Sequence, residues 1–207
     1  MTNPRLQSYI KSLIADYQSI SSDRKQLLEN LSAWIRLQLK ENKKVQLNFI
    51  CTHNSRRSHF GQIWAEIAAF YYKIQNIHTY SGGTETTAFN FRSVAALQRA
   101  GFEARIPEQY QNEANPHYHL YFEENSSPII CFSKVYDNSF NPSKDFAAIM
   151  TCNHADVNCP VVFGALKRFP ITYEDPKSAD DSSQEKAKYD ERCRQIATEM
   201  FYMISKL

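Results

Sequence analysis

The six residues VQLNFI (45–50) read as a strand that stops at Cys51. They give way to the polar stretch CTHNSRR (51–57), after which apolar positions return at helical spacing over 58–73. A strand, a short polar turn and a helix in direct succession restrict the chain to folds that alternate these elements. Parallel strands need such crossovers, whereas a hairpin needs only a tight turn. The same alternation recurs further on. Residues 77–80 predict a second strand stopped by Gly82 and Gly83, and 89–100 a helix closed by Gly101. Residues 129–132 and 147–151 predict two more buried strands, and 184–207 a long closing helix. The expected architecture is α/β, with a four-stranded parallel sheet flanked by helices. Residues 106–125, rich in Tyr, His, Asn and Glu, show no clear period beyond a short strand in YHLYF, where His117 and His119 are expected to be exposed. Residues 175–183, DPKSADDSS, read as a polar, mobile loop.

Ahead of this unit, Leu6, Ile10, Leu13, Ile14 and Tyr17 recur at helical spacing, as do Leu27, Leu28, Leu31, Ile35 and Leu39, with Ser21, Ser22 and Asp23 offering caps between them. Residues 1–44 are therefore expected to be an N-terminal helical pair and 45–207 the main domain. The apolar stripes of the pair require burial, either on the flank of the sheet or in a homodimer contact.

With 207 residues the chain is long enough for a real core, and 43% apolar with 22% charged residues excludes a disordered or fibrous class. A net charge of +2 gives no basic stripe for nucleic acid and no polybasic membrane patch. No apolar run approaches the roughly 18 residues of a spanning helix, and MTNPRLQSYIK lacks the apolar stretch of a secretion signal, so a cytoplasmic location is expected. The five cysteines are an odd count in a chain too large to need stapling, which points to a reducing compartment.

The turn after the first strand lies at the carboxyl edge of the sheet, where open α/β folds bind ligands. Its backbone N–H groups and the positive end of the following helix make a concave anion site, and the same field favours the thiolate of Cys51. Arg57 can offer two parallel hydrogen bonds to a tetrahedral oxyanion, Ser58 a hydroxyl to the sulfur, and Asn54 bonds that hold the loop. The expected oxyanion-binding loop is Thr52, His53, Asn54, Ser55, Arg56, Arg57 and Ser58, with Arg56 facing solvent rather than adding to the positive potential. Such a loop binds a phosphate-like anion and attacks its centre with sulfur. The plain alternative is a buried structural cysteine beside an exposed arginine.

CTHNSRRS resembles the anion loop of the low-molecular-weight tyrosine phosphatases and the related thioredoxin-coupled arsenate reductases. YSGGTET and NFRSVAALQRAGF resemble the segments that follow it in those families, so the likeness runs from about residue 45 onward. His53 stands where the family usually has glycine, and Arg56 where it has cysteine or another small residue. The stretch TCNHADVNCP (151–160), followed by YEDPK, is similar to the corresponding part of the arsenate reductases. By that resemblance Cys51 attacks arsenate, Cys152 attacks the Cys51 sulfur and releases arsenite, and Cys159 attacks Cys152. The exposed disulfide is then reduced by thioredoxin. Two unrelated thiols are the plain reading of the pair; a zinc site through His154 lacks a second ligand pair at a familiar spacing. Asp175, in Asp175-Pro176, resembles the family's acid. Without the family an Asp-Pro pair is an ordinary turn.

The resemblance implies reduction of arsenate by a three-cysteine relay, with Cys51, Arg57, Cys152, Cys159 and Asp175 as the catalytic set and no tightly bound cofactor or metal. Gln62 stands where an acidic ligand for a potassium ion is expected in some relatives, so the ion is not expected here. The rival is a protein tyrosine phosphatase, disfavoured by Lys177, Ser178 and Ala179 where aromatic residues usually follow the Asp-Pro. A third reading is an anion-sensing module in which His53 has spoiled the cradle. Cys131 is expected in the core, and Cys193 in the core or on the surface of the last helix.

Overall fold

The computed structural model describes residues 3–123, 126–158 and 161–207. Helix α1 (Pro4–Ala15) starts where Asn3 caps it, its side-chain oxygen accepting from the N–H groups of Arg5 and Leu6. Ser21 caps α2 (Ser22–Lys40) in the same way. Strand β1 (Val45–Cys51) and helix α3 (Arg57–Tyr71) follow, then β2 (Ile77–Gly83) and α4 (Phe91–Ala100). Helix α4 ends on Gly101, whose φ of +119° lies in the left-handed region that glycine adopts without penalty.

The sheet order is β2-β1-β6-β7, all parallel, with β6 at Phe146–Met150 and β7 at Ala165–Pro170. This is the four-stranded parallel sheet expected, but its membership differs. Residues 129–132 do not join it. Strand β5 (Ile129–Cys131) pairs antiparallel with β4 (Tyr118–Tyr121), which pairs with β3 (Glu103–Arg105), in a separate three-stranded sheet. The true fourth strand is β7. It lies at the sheet edge, where Leu166 stays 58% exposed and Lys167 and Arg168 take up positions an interior strand would give to apolar residues. His117 is half-buried rather than free, stacked between Tyr110 at 4.1 Å and Phe132 at 3.9 Å.

One continuous core joins the sheet to α3, to the closing helix α6 (Glu185–Ile204) and to the N-terminal pair. Leu6, Ile10, Leu13, Leu28, Leu31 and Ile35 are fully buried in it beside Phe201 and Met203. Ser32 Oγ donates to Met203 O at 2.8 Å across the α2–α6 contact. These six residues of the pair are thus buried inside this chain, while Leu27 and Leu37 stay exposed; at about 1.5–3 kcal/mol per buried aliphatic, the buried face is a large part of the fold's stability. A second, smaller core on the opposite side of the sheet packs Ile50, Phe146, Ala148 and Met150 against Cys152 and Ala155. Residues 175–183 are not a free loop. They form a turn of 3-10 helix, Pro176–Ala179, capped by Asp175, and Asp180 beyond it is tied to neighbouring side chains. Among the described residues no helix is long and apolar enough to cross a membrane.

Candidate active site

The segment between β1 and α3 folds as a ring whose carbonyls point away from its centre. Thr84 N–H donates to Cys51 O, Glu85 N–H to Thr52 O at 2.8 Å, Ser133 Oγ to His53 O at 2.7 Å and Asn90 N–H to Ser55 O at 3.0 Å. With these four carbonyls engaged by neighbouring segments, none of residues 53–57 gives its N–H to a backbone carbonyl among the described residues. These unspent donors, at the positive end of α3, suit an anion. Asn54 is the residue that turns the ring: its φ is +45°, and its fully buried side chain donates to Ser58 Oγ at 2.9 Å while accepting from Lys134 N–H at 3.0 Å. The left-handed position is therefore Asn54 and not His53. The His53 ring is partly exposed and lies 3.4 Å from the Glu85 carboxylate.

Cys51 is 3% exposed, and its sulfur is 3.1 Å from Ser58 Oγ. The ring is crowded from below by the end of β2, where a Cβ on Gly83 would sit 2.7 Å from Thr52 O and 2.8 Å from Asn54 N. Only a residue without a side chain permits that approach.

Arg57 opens α3 and reaches across the mouth of the ring, donating to Tyr173 O at 3.0 Å and to Asp175 Oδ2 at 2.5 Å. Its Nε is buried and has no partner. Cys152 follows β6 and is 1% exposed. Its sulfur lies 3.4 Å from Thr52 Oγ1, and it accepts from the N–H of Ala155 in the first turn of α5 (Asn153–Asn158). Thr52 Oγ1 is also 3.3 Å from His154 Nδ1. The sheet thus brings Cys51, Thr52, Asn54, Arg57, Ser58, Cys152 and Asp175 to one edge. Cys159 lies outside the described residues.

Arg56 does not face solvent. It is 9% exposed and turns inward, donating from Nε to the Tyr189 hydroxyl at 2.7 Å and from a terminal nitrogen to Asp180 Oδ2 at 3.3 Å. Sequence reasoning missed these partners, which stand far along the chain, and it missed two buried bases behind the ring. The His59 ring lies tilted against Phe89, centroids 4.1 Å apart; burial first, then the nearby Lys134 charge, holds its pKa well below the ordinary histidine value, so it is neutral. Lys134 is 4% exposed, its ammonium 3.4 Å from Phe132 O and over the Phe132 ring, and burial brings its pKa down to about 8. Cys131 and Cys193, both core residues, are pushed up to about 12 by burial, which keeps them as thiols. Among the described residues no group of three or more His, Cys, Asp or Glu side chains is placed to hold a metal.

This chain has the low-molecular-weight protein tyrosine phosphatase fold. It superposes on such a phosphatase from T. tengcongensis with a TM-score of 0.51 at 13% identity, covering 79% of this chain and 99% of that one. The corresponding comparison with a low-molecular-weight phosphotyrosine phosphatase from Vibrio cholerae O395 gives 0.50 at 12% identity, over 78% and 95%. In sequence the chain is similar to arsenate reductases: those of Staphylococcus aureus strains Newman and COL are 26% identical to it over 134 residues, 64% of this chain and 79% of theirs. No protein-family model matches.

Proposed function

We propose that this protein is a cytoplasmic arsenate reductase working through Cys51, Cys152 and Cys159. The observation that carries the reading is the place of Cys152: a second thiol stands 3.4 Å from the side chain of the residue next to Cys51. Phosphoester hydrolysis has no use for it, whereas reduction of an oxyanion needs two electrons from thiols.

In the first step the Cys51 thiolate attacks arsenic(V), forming an S–As bond as one oxygen leaves as hydroxide or, protonated by Asp175, as water. Ring amides and Arg57 bear the charge of the remaining oxygens, which Arg57 does by giving its free Nε and the N–H now held by Asp175. Cys152, deprotonated, next attacks the Cys51 sulfur. An S–S bond forms, the S–As bond breaks, and its electron pair departs with arsenic(III) as arsenite. Cys159 attacks Cys152, freeing Cys51 as a thiolate, and the Cys152–Cys159 disulfide is reduced by the dithiol of thioredoxin.

Arsenate-dependent oxidation of NADPH in the presence of thioredoxin and its reductase tests this. Loss of that turnover in Cys152→Ser, with mass spectrometry finding Cys152 joined to Cys159 after arsenate treatment of the wild type, is the expected result. No arsenate-dependent oxidation sinks it. A phosphatase is the second reading, favoured by the carboxyl of Asp175 at the ring mouth, where a leaving alcohol would need its proton. Hydrolysis of an aryl phosphate that survives replacement of both Cys152 and Cys159 would select it.

A further inference from the structure

Two consecutive arginines grip opposite ends of one turn. Arg57 holds Asp175, and Arg56 holds Asp180, with Pro176–Ala179 between them. The Arg56 grip is doubled, because the Tyr189 hydroxyl that accepts from Arg56 Nε itself donates to Asp180 Oδ1 at 2.8 Å. Burial pushes Tyr189 up to about 12, so it keeps the proton that this bond requires. Arg56 Nε also lies 3.9 Å from Asp175 Oδ1, and Arg92 supports Asp180 from the far side at 4.0 Å. A guanidinium buried beside another guanidinium is costly unless both are paired, so this arrangement sets the position of the turn rather than filling space.

The two grips differ in what happens when an anion arrives. An oxyanion in the ring competes with Asp175 for the same Arg57 nitrogen, and the turn loses that bond when the acid is needed. We propose that Arg56 is a positioning residue that keeps the 175–180 turn, and with it Asp175, over the ring while Arg57 is engaged by the oxyanion. Arg56 acts through Asp180 and Tyr189 and does not itself touch the substrate. The proposal rests on the reading of residues 51–58 as an oxyanion site.

Hydrogen exchange of the 177–182 amides, with and without saturating tungstate as an unreactive oxyanion, tests it. In the wild type these amides should be equally protected in both states. In Arg56→Gln they should exchange within about threefold of wild type without tungstate and at least tenfold faster with it. Arg56→Lys, which restores a cation to Asp180 without the Tyr189 bond, should recover about half of the protection. Tyr189→Phe removes only the bridging hydroxyl and should show the same tungstate-dependent loss at threefold or more, should Arg56→Gln fail to fold. Equal losses with and without tungstate, or no loss in either variant, would overturn the proposal alone. Calorimetry showing that the wild type binds no tungstate would overturn the anion-site reading and this proposal with it.

Discussion

Replacing Arg24 by Met should cost about 3 kcal/mol of stability. Arg24 reaches from α2 to Glu199 on α6, both Nε and a terminal nitrogen lying 2.8 Å from Glu199 Oε2. The pair is shut in, with side-chain exposures of 18% and 4%. Removing one partner of a buried pair costs roughly 3–5 kcal/mol because the other charge is left uncompensated. The lower end applies here, since Glu199 keeps the Tyr173 hydroxyl at 2.8 Å and Gln195 Nε2 at 3.0 Å. For a chain of this size the shift in Tm should be about 6–12 °C. The discriminating measurement is a double-mutant cycle in urea. Arg24→Met/Glu199→Met removes both charges and should be about 1–2 kcal/mol more stable than Arg24→Met. The Arg24 guanidinium also stacks on Tyr173 at 4.5 Å, and Tyr173 supplies the carbonyl that Arg57 uses, so Arg24→Met should lower turnover as well. A loss under about 1 kcal/mol in the single variant, or a double variant no more stable than the single, refutes the reasoning.

Lys134→Met should stabilise the protein at pH 7 by up to about 3 kcal/mol, because burial depresses the folded pKa to about 8 from an ordinary value near 10.5. Between those values the unfolded chain binds the extra proton, so wild-type stability rises with pH. The advantage of Lys134→Met should shrink from pH 8 to 10.5 in parallel urea titrations; an advantage that stays flat over that range counts against a buried ammonium. Gly83→Ala should yield insoluble or inactive protein, since its Cβ would lie 2.3 Å from Glu85 O and 2.7 Å from Thr52 O; wild-type turnover would contradict that geometry. Cys131 and Cys193, buried and pushed up to about 12, should remain unalkylated by iodoacetamide at pH 8 in native protein and react once it is unfolded in urea, as read by mass spectrometry.

VQLNFI was legible as a strand because an interior strand has no face to give to charge, and the loop after it because its polar residues had to serve backbone groups at a sheet edge. The strand Ala165–Pro170 was not, since an edge strand mixes Leu166 with Lys167 and Arg168 and loses the apolar signature. Ile129–Cys131 was legible as a strand but not as antiparallel, because a three-residue apolar run reads alike in either sheet. At the site, Cys51, Asn54, Arg57 and Ser58 came from one contiguous stretch, whereas Asp175 came only from the family resemblance, since an Asp-Pro pair by itself reads as a turn. The inward turn of Arg56 could not be read, because Asp180 and Tyr189 lie more than a hundred residues away and nothing in RR tells which arginine is buried. The contact of Thr52 with Cys152 and His154 likewise depends on how β1 and β6 pair.

The contact of α1 and α2 with α6 has a consequence for synthesis. The chain's first forty residues bury part of their apolar face against its last twenty. At about 5–20 residues per second a ribosome needs on the order of ten to thirty seconds to travel from one to the other. Throughout that interval the part of the face that ends up beside Phe201 and Met203 has no cover. The nascent protein should therefore depend on a chaperone that shields amphipathic helices as they emerge.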